Sequence, residues 1–508
     1  MPSSNSRRSS DRKLMSELAK PEALLPCSAG ELPRETSAVL RIFGRNTLWL
    51  WIDLGALRLG TMLAGLFLIR YFGPKSFGIY SMALAVGWIA NSVIDLGLTR
   101  YSARAVAATR EEVRPILALS LFTTIAAAIP TIAVLVMASR INQLQVACLA
   151  AGFVLCNFEG TSSLCSSVLT ADLRSRAILP GSIIGAAGLI GLTVLTIELH
   201  LSVLALLTGL CFKSLLVLSL RLWQLRSYWP KSSDWTWAEY KRVAFQAWPF
   251  FANNLTQVGY GRIALLCLGF VATQISVGWF AAAYTISDVI PQWSYAVSGA
   301  LLPVWTRLYE SGRIEDLLSL RQRLLEVILF AAVPIWISLA VFAGPLCNLL
   351  GSQYLPSGPV LRIVALRSVT SVLDGFLGHG FLVAVGRVKE RQQALSRCLL
   401  ILASLSLIFG YFWGAIGVGF ALVISDLILI LQYLWIAAGI DLKIHWPSLS
   451  SNLAAAVLMT LCALGLPREI NFMLRAIAAA AVYFVVLLLV SRNRIVSVGH
   501  TLRECVDR

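Results

Sequence analysis

The sequence predicts an all-α polytopic membrane protein, and three observations carry that prediction. Apolar residues make up 57% of the 508 residues and charged residues only 13%, whereas soluble domains carry about 25% charged residues. The mean hydropathy is correspondingly high, at +0.76. The apolar residues also fall into long runs, and a run of about 20 residues is what an α-helix needs to cross a bilayer.

Fourteen of these runs are long enough to be transmembrane helices. Their predicted ranges are 47–69, 77–99, 115–138, 144–169, 178–198, 201–221, 245–270, 276–302, 325–350, 359–385, 397–413, 415–439, 449–466 and 473–491. The first twelve predict two parallel six-helix bundles around a central cavity. The last two form an additional C-terminal helix pair.

Lys and Arg residues give these helices a predicted orientation. Over the loops and tails, 32 of them lie on one side of the membrane and four on the other. Cytoplasmic loops carry the excess of basic residues, so both termini are predicted to be cytoplasmic. The same distribution accounts for the net charge of +16 without a nucleic-acid partner, because the basic residues form no single patch.

The loops also divide the chain into predicted domains. They are a disordered basic cytoplasmic tail (1–46), an N-terminal six-helix bundle (47–222), an amphipathic cytoplasmic linker (223–244), a C-terminal six-helix bundle (245–439), two extra transmembrane helices (440–491) and a cytoplasmic tail (492–508). The linker interleaves Trp with basic residues, a composition typical of segments at the lipid headgroup level.

A weak internal repeat relates the two bundles at an offset of 200 residues. It aligns Gly78 with Gly278 and Ala83 with Ala283. Because the offset spans six helices, an even number, both copies enter the membrane from the same side. Parallel repeats of this kind enclose a central site in alternating-access transporters, which is the mechanism that the sequence favours.

Ionisable residues inside the apolar runs mark the candidate functional site. A charge at a helix centre costs roughly 2.5–3.5 kcal/mol, so each needs either an ion-pair partner or a water-filled cavity. The deep cations, which would bind an anionic group such as a pyrophosphate, are Arg58, Lys213, Arg262 and Arg367. The deep acidic candidates for ion coupling are Asp53 and Asp288. Asp374 and Asp426 also lie within predicted spans.

Two other ionisable residues have simpler interpretations. Asp95 lies near the cytoplasmic end of its helix, where it either caps that end or pairs with Arg100 or Arg104. His379 is expected to be packed or hydrogen-bonded. The sequence contains no phosphate-binding loop, hydrolase motif or metal-ligand cluster, and its ten cysteines form no C-x-x-C pair. We therefore expect no enzyme activity and no cofactor.

Three segments carry a family resemblance. They are RYFGPKSFGIYSMALAVGWIANSVIDLGL (70–98), SVGWFAAAYTISDVI (276–290) followed by GALLPVWTRLYESGR (299–313), and AGPLCNLLGSQYLPSGPVLRIVAL (343–366) with VAVGRVKER (383–391). In this order they resemble bacterial polysaccharide transporters. These are the lipid-linked oligosaccharide flippases of the multidrug/oligosaccharidyl-lipid/polysaccharide superfamily. The resemblance covers about 47–395, and it implies that the turn at Gly73 and Pro74 closes the first hairpin on the outer side.

The resemblance implies a function as well as a fold. It implies two bundles around a cationic lumen, and the flipping of a polyprenyl-pyrophosphate-linked sugar repeat unit across the bacterial cytoplasmic membrane for exopolysaccharide, O-antigen or capsule biosynthesis. The expected partners are this lipid-linked oligosaccharide and membrane lipids, with the polysaccharide polymerase or export machinery as a further option. A peptidoglycan-precursor (lipid II) flippase and a MATE-type drug/cation antiporter remain alternatives. The deep cations favour an anionic substrate over a drug cation, and the short outer loops argue against a glycan polymerase.

Overall fold

The computed structural model describes residues 34–109, 112–141, 143–172, 175–228, 237–439, 449–467 and 471–486. The regular elements of these residues are all helical. The predicted C-terminal tail, most of the N-terminal tail and the middle of the linker lie outside the described residues.

The helices divide into an N-terminal and a C-terminal half. Those of the N-terminal half are α1 (Arg34–Ile94), α2 (Leu98–Ala108), α3 (Val113–Arg140), α4 (Leu144–Ala171), α5 (Ser175–Glu198) and α6 (Val203–Gln224). Those of the C-terminal half are α7 (Trp237–Val271), α8 (Gln274–Ser287), α9 (Val289–Glu310), α10 (Ile314–Val341), α11 (Ala343–Leu349), α12 (Ser357–Val364), α13 (Arg367–Leu373), a π-helix (Asp374–Phe381), α14 (Leu382–Ala384) and α15 (Val388–Ala438). Two further helices follow, α16 (Leu449–Gly465) and α17 (Phe472–Val486).

Two of the helices, α1 and α15, are each built of two legs joined at a glycine. Gly73 has φ 70° and ψ 172°, and Gly414 has φ 57° and ψ −134°. Glycine adopts a positive φ without steric cost, and Pro74 begins the second leg of α1, where a missing N–H leaves no helical hydrogen bond unmade. The predicted turn at Gly73 and Pro74 is therefore confirmed. The first leg of α1 begins at Arg34, so helix extends into the predicted tail.

Helical segments occur in each of the fourteen predicted ranges, but a count of fourteen spans is not confirmed. Among the described residues, six helices are long and apolar enough to cross a membrane. A bent pair on either side of Phe342, with an angle of 71°, makes up to seven. Other predicted spans are interrupted: 276–302 breaks at Asp288, and 359–385 contains α12, α13, the π-helix and α14.

Each half has its own packing. In the N-terminal half, α4 packs against α1, α3 and α6, and α1 also packs along α5. In the C-terminal half, α15 packs along α7, α8 along α12, and the π-helix against α9. The C-terminal helices α16 and α17 pack on α10 through a cluster that includes Ile337, Met459 and Tyr483.

One of the places where the two halves meet is the crossing of the second leg of α1 with α8. Gly78 and Gly278, the glycines that the internal repeat aligns, lie at this crossing. A Cβ atom on Gly78 would lie 2.1 Å from the Gln274 oxygen, and one on Gly278 would lie 1.8 Å from the Pro74 oxygen. Only glycine permits backbones to approach so closely. Equivalent residues of the two halves thus meet at one place, which supports the predicted repeat.

Candidate functional site between the two halves

In the N-terminal half, the predicted substrate-binding cation Lys213 of α6 is ion-paired. Its Nζ lies 2.9 Å from Oε1 of Glu159 on α4, and the Ser214 hydroxyl donates to the same oxygen at 3.2 Å. The Lys213 side chain is 13% exposed and that of Glu159 is 34% exposed. Both charges are therefore balanced within the same half.

In the C-terminal half, Arg367 is buried at the start of α13 and lies over the Tyr284 ring, 4.9 Å from its centroid. Its Nε donates to Asp426 at 3.2 Å. Its Nη1 lies 3.7 Å from Oδ1 of Asp288 and has no hydrogen-bond acceptor among the described residues. The structure therefore brings together two residues, Arg367 and Asp288, that the sequence places in separate roles.

Asp426 on the second leg of α15 is the tighter partner of Arg367. Its Oδ1 accepts a hydrogen bond from the Tyr260 hydroxyl at 2.7 Å, and its Oδ2 accepts one from the Thr370 hydroxyl at 3.1 Å. Its side chain is 7% exposed, against 36% for Asp288. The sequence assigns no role to Asp426. Sequence reasoning could have found Asp426, because a deeply buried Arg requires a carboxylate partner.

Arg262 of α7 lies between these two clusters. It is half-buried and close enough to Tyr80 of α1 and Tyr284 of α8 to act electrostatically on both hydroxyls. It forms no ion pair with any residue that the structure describes. Arg262 is therefore the candidate cation that contacts both halves and has no compensating carboxylate among the side chains that the structure describes.

We call the charged side chains of these clusters, together with Arg262, the polar layer, and within the described residues its positive and negative charges are equal in number. Its described charges are the cations Lys213, Arg262 and Arg367 and the carboxylates Glu159, Asp288 and Asp426. The cationic lumen that the resemblance implies is represented, within the described side chains, chiefly by Arg262. Arg58 and Asp53 lie on the first leg of α1, but their side chains are outside the described residues.

A second polar cluster lies at the π-helix, nearer the predicted cytoplasmic side. Nε2 of His379 lies 2.6 Å from Nη2 of Arg391 and 2.5 Å from Nε2 of Gln257. The Gln257 side-chain oxygen in turn accepts a hydrogen bond from Arg100. This chain of contacts joins α2 to α15 across the two halves. The prediction that His379 is hydrogen-bonded is confirmed, whereas the cluster itself was not predicted.

Asp95 hydrogen-bonds to the first turn of the helix that follows it. Its carboxylate accepts hydrogen bonds from the Thr99 backbone N–H at 3.2 Å and from the Thr99 hydroxyl at 2.6 Å. The Asn254 amide donates to it at 3.4 Å. Neither expectation for Asp95 is met as stated: its carboxylate bonds to the helix that follows and not to the end of its own helix, and Arg100 donates to Gln257 instead of pairing with it.

Two halves that meet at paired glycines form an all-helical, multi-pass membrane fold, and this fold occurs in solved structures. The lipid II flippase MurJ in its inward closed conformation superposes with a TM-score of 0.71 at 14% identity, covering 88% of this chain and 99% of that chain. An inward-facing multidrug resistance MATE family transporter of the MOP superfamily superposes with a TM-score of 0.60 at 14% identity, covering 76% and 98%. A MATE structure in complex with MaD3S gives 0.52 at 16%, covering 79% and 96%. At these identities the likeness establishes the fold.

The chain belongs to the polysaccharide biosynthesis protein family, whose sequence profile matches residues 67–359, more than half of its length. Among curated proteins none matches it. The predicted family is confirmed, and so is the predicted fold class, an all-α multi-pass membrane protein with the architecture of MOP-superfamily transporters.

Proposed function

We propose that the protein flips polyprenyl-pyrophosphate-linked oligosaccharide repeat units across the bacterial cytoplasmic membrane by alternating access, with both termini in the cytoplasm. The observation that carries the proposal is Arg262, a cation between the two halves that has no ion pair among the described residues. A pyrophosphate supplies the negative oxygens that a guanidinium binds through paired N–H donors. Membership of a polysaccharide biosynthesis family supports a glycan as the rest of the headgroup.

The other predicted site residues take roles around Arg262. Arg367 can offer Nη1 to a phosphate oxygen, because this buried N–H has no acceptor among the described residues. Lys213, which is ion-paired with Glu159 in this structure, and Arg58 complete the proposed substrate-binding set. Asp288 is the proposed ion-coupling carboxylate with Asp53, because it is more exposed than Asp426 and lies farther from Arg367.

The charges of the layer favour this function over drug/cation antiport. A cationic drug needs a carboxylate that is not already neutralised. Glu159, Asp288 and Asp426 each have a cationic side chain within 3.7 Å. A lipid II flippase would use the same pyrophosphate contact at Arg262, so the glycan is what separates it from the proposed function.

A deletion strain tests the proposal when surface polysaccharide and lipid-linked intermediates are extracted together. We expect the surface polymer to disappear and sugar-loaded polyprenyl pyrophosphate to accumulate. Wild type and Arg104→Ala, which changes an exposed arginine, should restore the polymer, while Arg262→Ala at normal protein levels should not. Unchanged surface polymer together with new sensitivity to cationic drugs would instead establish the antiporter, and Asp53 and Asp288 would then be changed.

A further inference from the structure

Two arginines from different halves converge on neutral side chains near the predicted cytoplasmic side. Arg100 of α2 donates to the Gln257 side-chain oxygen, and Arg391 of α15 donates to Nε2 of His379 at 2.6 Å. Neither guanidinium hydrogen-bonds to a carboxylate among the described residues. Arginines in such surroundings ordinarily pair with a carboxylate, so this arrangement requires an explanation.

The side chains between the two arginines do not neutralise them. An Arg N–H can only donate, and Nε2 of His379 lies within hydrogen-bonding distance of both Arg391 and the Gln257 amide. Nε2 must therefore accept, which makes it the unprotonated nitrogen of the ring. His379 and Gln257 thus act as neutral spacers that link the two cations without supplying a negative charge.

Both arginines have unused binding capacity. Arg391 is 4% exposed, yet its Nε has no hydrogen-bond acceptor among the described residues. A buried N–H without an acceptor is unfavourable unless a ligand supplies one. Arg100 is exposed, and its one side-chain hydrogen bond among the described residues goes to Gln257. Burial, followed by the like charge of Arg391, lowers the pKa of Arg100.

The nearby carboxylates are engaged elsewhere. Asp95 accepts hydrogen bonds from Thr99 and Asn254. The charge of Asp95 changes the pKa of Arg100 less than the charge of Arg391 does. Asp374 lies on the opposite side of the His379 ring, with Oδ2 3.8 Å from Nδ1. Among the described ion pairs, neither carboxylate is paired with Arg100 or Arg391.

The cluster lies nearer the predicted cytoplasmic side than Arg262 does. Gln257 precedes Arg262 by five residues on α7, which is about 7.5 Å along a helix with a rise of 1.5 Å per residue. An anion that enters from the predicted cytoplasmic side would reach the cluster before it reaches Arg262.

We propose that Arg100 and Arg391 form a second anion-binding site that takes a pyrophosphate group and passes it on to Arg262. An anion bound by both guanidinium groups bridges α2 and α15, so the ligand itself joins the two halves on this side. The chemistry of the site fits inorganic pyrophosphate and a prenyl pyrophosphate headgroup alike. Only the assignment to a lipid headgroup rests on the proposed function.

Binding to the purified full-length protein in detergent tests the site. Titrations use inorganic pyrophosphate and farnesyl pyrophosphate. The protein carries Arg262→Gln, so that binding at Arg262 does not contribute. We expect Arg100→Gln and Arg391→Gln each to weaken pyrophosphate binding at least ten-fold, because each removes one of two charged donors. Arg391→Lys should lose less, since it keeps the charge and loses the fork. The controls are Arg104→Gln on α2 and Arg397→Gln on α15, both exposed residues, and they should bind as the background does.

Unchanged affinity in both Arg100→Gln and Arg391→Gln would overturn the site. Thermal unfolding of each unliganded variant accompanies the titrations, and the exposed Arg100 provides the test if the buried Arg391 does not tolerate substitution. A ten-fold preference for farnesyl over inorganic pyrophosphate assigns the site to a lipid headgroup, and equal affinity assigns it to the free anion. If Arg100→Gln and Arg391→Gln lose pyrophosphate binding while the deletion strain still makes normal surface polysaccharide, the anion-binding site stands and the proposed function is wrong.

Discussion

Arg367 has two carboxylate partners, and they hold it with unequal strength. Asp426 is 7% exposed and accepts hydrogen bonds from Arg367 and two hydroxyl groups, whereas Asp288 is 36% exposed and lies 3.7 Å away. Removing one partner of a buried ion pair costs about 3–5 kcal/mol, and an exposed pair contributes about 0–1 kcal/mol. We therefore expect Asp426→Asn to lower the free energy of unfolding far more than Asp288→Asn. Equal losses in denaturant unfolding of the two purified variants would contradict this ranking.

The pair of Lys213 and Glu159 allows a similar measurement. Glu159→Gln leaves Lys213, which is 13% exposed, without its counter-charge. The expected loss is about 1–2 kcal/mol, below that of a fully buried pair because Glu159 is one-third exposed. Lys213→Met combined with Glu159→Gln should lose less than the sum of the single variants, since the double variant leaves no unpaired charge. Additive losses would mean that the two charges do not stabilise each other.

At this scale the sequence locates the charges but not their partners. Hydropathy places Arg367, Asp288 and Asp426 inside apolar runs, and the cost of a membrane charge says that each needs compensation. The pairing itself depends on how α13 packs against α15, and the two paired residues are 59 positions apart. No local pattern carries that information.

Among the elements, the crossing of α1 and α8 allows a test with a matched control. Gly278→Ala places a Cβ atom 1.8 Å from the Pro74 oxygen, so the helices must separate, and overpacking of this kind typically costs 1–3 kcal/mol. Gly344→Ala meets no atom within 4 Å and should leave stability nearly unchanged. We expect a lower unfolding temperature and failed rescue of the deletion strain for Gly278→Ala alone. Equal behaviour of the two variants would show that the crossing tolerates separation.

The turns of α1 and α15 were visible in the sequence, but the π-helix was not. Gly73, Pro74 and Gly414 are local signals for a break. The glycines of the π-helix make close tertiary contacts, since a Cβ atom on Gly378 would lie 2.6 Å from the Tyr433 ring and one on Gly380 would lie 2.2 Å from the Trp305 ring. The hydropathy of a segment does not depend on whether its backbone hydrogen bonds are of the α or the π type. Residues 359–385 were therefore predicted as one uninterrupted span.

For the whole molecule, the proposed alternating access requires the two halves to move apart on the predicted cytoplasmic side. The Tyr101 hydroxyl of α2 donates to the Gln246 side-chain oxygen of α7 at 2.5 Å. Cysteines placed at both positions and joined by a bifunctional methanethiosulfonate reagent should stop delivery of lipid-linked sugar to the outer leaflet. Reductant should restore delivery. A variant that carries only one of the two introduced cysteines should be unaffected by the reagent. Delivery that continues in the cross-linked protein would exclude this motion.

Because Arg367 and its two partners are far apart in the sequence, the ribosome synthesises them at different times. Asp288 is synthesised before Arg367, and Asp426 follows Arg367 by 59 residues. At roughly 5–20 residues per second, Arg367 is made about 3–12 s before its tighter partner. During that interval Asp288 is the carboxylate already available to it. The weaker ion pair of the finished protein is therefore the first that the nascent chain can form.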